Sequence, residues 1–410
     1  MKPYQDLLSH ISSLDVVDCH EHTFLPEARP SPVDLWTVLR NSDVGDDMIS
    51  AGMPVAWRTE LNWERAAPYL ARVRNTGFYR SLILAFQDLF GFPDADLQGH
   101  NWEALSSRIA AANERPDWYT FVLHEKAKIR KILRVQGSET DPLGVDRRYF
   151  APLMNLDEWI RAGDPAKREQ TAASVGGDAR SLKGYLAALE RYFEQIRAGG
   201  AVGIKSMLAY QRSLDFTCPD ASTAQALFDR RDLSPAETRA LEDYLVHQVA
   251  ERAGIFELPY QIHVGYGSWQ SNITAGANPL LLNPLIEAHR ATKFVLLHGG
   301  YPFTNEMGTL AKNHPNVFIE AGWLAYISPR AYEQALGDWL DSVPMNKILA
   351  FGADCLHVEQ SLGALLLARQ IIARVMVTKT ADSNWEDALA LDCAARLLSG
   401  NAAELYRLVI

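Results

Sequence analysis

The segment "LDVVDCHEHTFLP", residues 14–26, ends a short apolar run at Asp18 and then places two histidines, His20 and His22, around one glutamate. Side chains alternate along an extended strand, so His20 and His22 are expected on one face, with Cys19 and Glu21 on the other. Two imidazoles spaced this way at a strand end can converge on one metal ion. A single His-x-His pair is weak evidence, because it occurs by chance and in loops. Further donors follow at the ends of other apolar runs: Lys205 in "AVGIKSML", His263 in "LPYQIHVG", His298 in "KFVLLHGG" and Asp354 in "KILAFGAD". Several histidines with one carboxylate make the donor set of zinc or a similar divalent ion in an open, catalytic site. Any one of them alone reads as a hydrogen-bonded polar residue at a strand end. All of them together, without a shared purpose, would be buried polar groups crowding one another.

Lys205 stands on a run that should be buried, where a charged amine is costly. Three solutions are open: a carbamate bridging two ions, a cation that binds an anionic substrate, or a salt bridge to a nearby carboxylate. Asp354 beside a metal-bound water could accept its proton and pass it to a leaving group. His298 could ligate a second ion or polarise a substrate carbonyl.

These donors need a scaffold that gathers strand ends. Eight short, β-branched-rich apolar runs are present, at 16–22, 129–137, 149–159, 201–208, 258–265, 293–300, 316–323 and 347–354. Near-continuous apolarity suits parallel strands covered on both faces. Helical patterns fill the gaps, among them "SLKGYLAALERYFEQIRAGG", "SPAETRALEDYLVHQVAERAG" with a Ser234-Pro235 start, "PRAYEQALGDWLDSV" and "SLGALLLARQIIARVMVTK". The alternation predicts an α/β fold, a (β/α)8 TIM barrel, in which all the strand ends meet at one mouth. Residues 24–128 hold helical patterns and no strand signal. They are expected to form a helical insertion after the first strand, within one hydrolase barrel spanning 1–410, as an extra layer or as a lid over the site.

The chain has 410 residues and a net charge of -10, with no Lys/Arg cluster, which argues against a nucleic-acid surface. The start has no apolar leader pattern, and no window approaches 18 uninterrupted apolar residues, so neither a signal peptide nor a membrane span is expected. The four cysteines are scattered, which fits free thiols and a cytoplasmic setting.

The motifs "DCHEH", "GIKSM", "QIHVG", "LLHGGYP" and "FGADC" fall in an order that resembles the amidohydrolase superfamily at its first, fourth, fifth, sixth and eighth strands, and "LLSGNAAELYRL" resembles its closing helix. Within it, "GIKSMLAYQRSLDF", "NWEALSSRI" and "DWYTFVLHEKAKI" resemble the group containing the nodulin-like domain fused to glutamine synthetase; uronate isomerases are more distant. The sequence stops after the barrel, so no synthetase activity is expected. The resemblance implies that His20, His22, His263 and Asp354 bind the catalytic metal, that His298 is a second-site ligand or acid–base residue, and that Lys205 matches the lysine carbamylated in two-metal members. Tyr210, Arg212, Tyr301 and Trp323 follow barrel strands and could face the mouth as substrate contacts. Arg212 would suit a carboxylate, although a surface ion pair is an equal reading. His357 could contact substrate, support the ligands or sit in a solvated loop; Arg80 and Trp63 are weaker candidates.

The function expected is metal-dependent hydrolysis of an amide, lactone or ester in a small, carboxylate-bearing molecule. One or two ions are expected, zinc first with manganese as the alternative. A one-metal uronate isomerase or decarboxylase could use the same residues. A purely binding or assembly barrel would have no physical need for this donor set. A homo-oligomer remains open.

Overall fold

The computed structural model describes residues 3–136, 143–268 and 274–410. Eight strands lie in sequence order in one sheet: β1 (Val16–Glu21), β2 (Ile129–Gln136), β3 (Phe150–Asn155), β4 (Gly203–Ser206), β5 (Tyr260–Ile262), β6 (Phe294–Leu296), β7 (Val317–Glu320) and β8 (Ile348–Leu349). Each pairs parallel with the next, with Lys205 of β4 opposite Gln261 of β5. The ring closes where Cys19 N–H donates to Phe351 O and Asp354 N–H donates to His20 O, both at 3.0 Å. This is the (β/α)8 barrel. The strands are shorter than the apolar runs: after β3 the chain turns helical at Asp157–Ile160, and Gly137, the end of the second run, lies outside the described residues.

Two apolar layers hold the ring. Outward residues such as Ile204, Tyr260, Phe294 and Ile348 pack under the helices. Inward residues Val17, Leu133, Leu153, Val295 and Leu349 come from five different strands and meet inside the barrel. The closing helix Asn401–Tyr406 seals the end away from the site with Leu405 and Tyr406. The outer helix Pro235–Ile255 starts with a full capping box between Ser234 and Glu237, as its Ser-Pro opening suggested. Helix Val358–Asp382 is long and apolar enough to cross a membrane, but 67% of the relevant window is buried, which marks it as a core helix of the barrel's outer layer.

Helix α1 (Tyr4–Ser13) precedes the barrel. Between β1 and β2 come α2 (Leu35–Arg40), α3 (Asp43–Ser50), α4 (Trp63–Val73), α5 (Gly77–Phe90) and α6 (Trp102–Asn113), then a π-helical turn at Thr120–Lys126. Helix α5 crosses Val358–Asp382 so closely that Gly363 faces the backbone of Ser81 with no room for a side chain. Helices α2 and α3 instead reach the barrel mouth, where Asn41, Ser42, Asp43 and Asp46 line a cavity together with the strand-end residues.

Candidate metal centre

Strand β1 departs from simple alternation. Its register against β2 shifts between Asp18 and Glu21, a bulge, and bulges re-aim side chains next to sites. Cys19 therefore packs inward with Val17 and Leu349, while Glu21 turns outward to Ser361 and Cys355. The expectation that Cys19 and Glu21 share a face is corrected by this bulge. His20 and His22 still converge.

Nε2 of His20 and Nε2 of His22 each lie 3.5 Å from Oδ1 of Asp354. The ligand atoms of these three residues lie within 4.8 Å of one another. His298 has Nε2 3.7 Å from Oδ2 of Asp354, and neither of its buried ring nitrogens has a hydrogen-bond partner among the described residues. His263 sits beside His298, ring centroids 4.4 Å apart, and outside the three-residue cluster. Its Nε2 lies 3.0 Å from the carbonyl of Tyr266, so Nε2–H donates there and Nδ1 keeps the lone pair. Lys205 projects into the same cavity, and its buried Nζ has no hydrogen-bond partner among the described residues. Its carboxylate neighbours act on it only at a distance, so the salt-bridge solution for this lysine is not realised.

The protonation of these groups follows from burial. Desolvation holds His20, His263 and His298 well below the usual imidazole range, with the Lys205 cation adding to the effect for His20. They are neutral lone-pair donors. Burial pushes Asp354 up to about 7 against the opposing pull of Lys205, and lowers Lys205 to about 7. The Asp354 carboxylate facing Nε2 of His20, Nε2 of His22 and the ring of His298 is what a divalent cation would satisfy, so the residues present fit such an ion.

A tier of buried residues positions the donors. Nδ1 of His20 meets Oε1 of Gln261 at 2.8 Å, while Nε2 of Gln261 donates to Cys19 O and to the Tyr406 hydroxyl, also at 2.8 Å. The amide is thus oriented to accept Nδ1–H, which leaves Nε2 of His20 for the ligand position. Asp18 accepts from the backbone N–H groups of His20 and Ala353, and Glu21 from those of His22 and Cys355, tying β1 to the segment after β8. Glu320 at the end of β7 accepts from His298 N–H at 3.1 Å; burial pushes it up to about 8. His298, Trp323 and Asp354 all hold positive φ, at 62°, 42° and 50°, strained backbone gathered around one site.

The substrate-contact candidates divide. Tyr210 and Trp323 line the cavity, which measures about 250 Å³. Arg212 does not line it. Its guanidinium is taken by Glu242 and Asp243 on helix Pro235–Ile255, so the expected carboxylate anchor is corrected to a structural ion pair. Tyr301 also lies outside the lining and accepts through its carbonyl from Tyr266 N–H. His357 is buried behind the wall, 3.2 Å from Nδ2 of Asn41, and is no solvated loop residue. Arg80 pairs with Asp96, and Trp63 stacks on Trp102; neither reaches the cavity.

Gln261, Glu320, Asp43 and Arg58 were missed in the sequence. Gln261 lies two residues before His263 in "QIHVG", so alternation placed it on the same face; Glu320 is a strand-end carboxylate like Asp354. Asp43 and Arg58 sit among helical patterns with no such signal.

The family model described as Amidohydrolase matches residues 132–408, more than half of the chain. The chain belongs to the amidohydrolase family. Among curated proteins it is similar to Protein fluG of Emericella nidulans, 30% identical over 222 residues, which take in 50% of this chain and 26% of that protein. The chain thus spans about a quarter of that relative. Among solved structures, uronate isomerase of Thermotoga maritima superposes with a TM-score of 0.81 at 16% identity, over 98% of this chain and 97% of that one. Glucuronate isomerase of Caulobacter crescentus gives 0.80 at 18%, over 98% and 93%. At these identities the two structures show a shared fold. Family membership makes this an enzyme of the metal-dependent hydrolase superfamily and implies a divalent metal.

Proposed function

We propose that this amidohydrolase-family barrel hydrolyses an amide, lactone or ester bond of a small molecule. The observation that carries the reading is the convergence of His20, His22 and Asp354 beside the unpartnered Lys205 and His298. His20, His22 and Asp354 would hold a divalent cation, with His263, His298 and Lys205 next to it. When bound, such an ion supplies Lewis acidity, lowering the pKa of a water to about 7 and polarising a carbonyl.

The chain's own groups do the rest. Asp354, beside the ion, would take a proton from the attacking water and return it to the leaving nitrogen or oxygen. His298, kept neutral by burial and with both ring nitrogens unpartnered among the described residues, would offer one N–H to the substrate oxygen without adding positive charge of its own. Trp323 and Tyr210 close the cavity sides and limit the substrate to a small molecule.

The test is a panel of lactones, esters and amides with zinc- or manganese-reconstituted protein. Turnover of at least one class is expected, and Asp354→Asn should lower kcat by roughly 10²-fold or more, the scale of one general acid–base group. Turnover of a uronate alone, with no hydrolysis, would replace this reading by isomerisation.

A further inference from the structure

The cavity wall facing the donor cluster comes from α2, α3 and the turn before α4, and it is poorly suited to a carboxylate. Arg58 is the guanidinium in that lining, and each of its nitrogens is engaged: Nη1 with Asp46, Nε with Arg40 O at 3.0 Å and Nη2 with Ser42 O at 3.2 Å. Beyond the Arg58–Asp46 pair the wall adds one carboxylate of its own, Asp43.

Asp43 stands in the first turn of α3 and is held in place by the indole of Trp323, whose Nε1 donates to Oδ2 at 3.1 Å. Its Oδ1 has no protein partner among the described residues. Beside it, Asn41 has its Nδ2 against Nε2 of His357 at 3.2 Å, so its Oδ1 is the atom left for a ligand. Both residues face the cavity that holds the buried, unpartnered Nζ of Lys205.

We propose that Asn41 and Asp43 form a hydroxyl-binding subsite, and that the substrate carries a hydroxyl rather than a carboxylate at the end remote from its scissile bond. This deepens the hydrolase reading and rests on it. A hydroxyl accepts from a protonated Asp43 while donating to Oδ1 of Asn41, and gives its one proton to the carboxylate when Asp43 is ionised. Burial pushes Asp43 up to about 8, which makes both states accessible near neutral pH. A substrate carboxylate in the same place would face two acceptor oxygens, those of Asn41 and Asp43, with the neighbouring guanidinium already paired to Asp46.

Hydroxamates, which chelate divalent metals, test this without knowledge of the true substrate. Acetohydroxamate, 4-hydroxybutanohydroxamate and succinic monohydroxamate share the metal-binding end and differ at the tail. Binding to zinc-reconstituted wild type, Asp43→Ala and Asp43→Asn is measured by calorimetry, and tails are compared within each protein so that any overall loss cancels. In wild type the hydroxyl tail should bind about tenfold tighter than acetohydroxamate, the scale of one hydrogen bond to a charged group, and the acid tail no tighter. Asp43→Ala should erase the hydroxyl gain. Asp43→Asn keeps an acceptor for Trp323 and turns an N–H to the cavity, so it should shift the preference towards the acid tail. An acid tail that binds best in wild type, or a hydroxyl gain that survives in Asp43→Ala, overturns the subsite. Failure of acetohydroxamate to bind wild type overturns the metal centre itself, and the subsite with it.

Discussion

His20 shows how far a ligand depends on what stands behind it. Its Nε2 is available because Gln261 accepts from Nδ1, and Gln261 is oriented in turn by Cys19 O and the hydroxyl of Tyr406 on the closing helix. Gln261→Leu removes the acceptor at nearly constant volume and frees the ring to take the wrong tautomer. Zinc affinity should fall about 10–100-fold in a competitive chelator titration, the range seen when such orienting partners are removed. Unchanged affinity would show that His20 needs no such partner. That His20, His22, His263, His298 and Asp354 lie together was legible in the sequence, because the ends of barrel strands share one mouth. Arg212 was misread. Its partners Glu242 and Asp243 lie about thirty residues further on, in a helix whose approach no local pattern reveals. The wall carrying Asn41 and Asp43 was invisible for a related reason: Asp43 meets Trp323 across 280 positions of chain.

At the scale of elements, the eight strands and most helices followed from apolar runs and caps, whereas the bulge in β1 did not, since it depends on pairing with β2. The segment between β1 and β2 is fastened as well as placed: α5 crosses helix Val358–Asp382 at Gly363, where a Cβ would strike the carbonyl of Ser81 and crowd Ala85. Gly363→Ala should destabilise the fold by about 1–3 kcal/mol in chemical denaturation, the usual penalty for overpacking a rigid contact. An unchanged midpoint would show that the two helices can separate. A second contact between elements gives a pH dependence. Nδ1 of His247, on helix Pro235–Ile255, lies 2.9 Å from Nε2 of His289, just after helix Asn283–Ala288. Burial, helped by His247, lowers His289 from 6.5 to about 4. Between these values the unfolded chain binds the proton and the folded one does not, so stability rises with pH across the window and is lost as pH falls from 6.5 to 4. Melting temperatures of His289→Gln should fall less steeply than those of wild type over that interval. Parallel slopes would remove this pair from the acid response.

For the whole molecule, the proposed chemistry depends on one property: a divalent metal held at the barrel mouth by His20, His22 and Asp354. The barrel supplies the geometry by bringing β1 and the end of β8 together, and the closing helix reaches the same site from below through Tyr406. The most direct measurement is metal content per chain by elemental analysis, paired with native intact mass to detect a carbamate on Lys205. Wild type should carry at least one ion per chain, and His20→Ala with Asp354→Ala should carry none while remaining folded. Two ions with a carbamate would place Lys205 as a bridge, and one ion with a bare lysine would leave it a cation of the cavity. Wild-type protein that binds no metal after reconstitution with zinc or manganese would contradict the account.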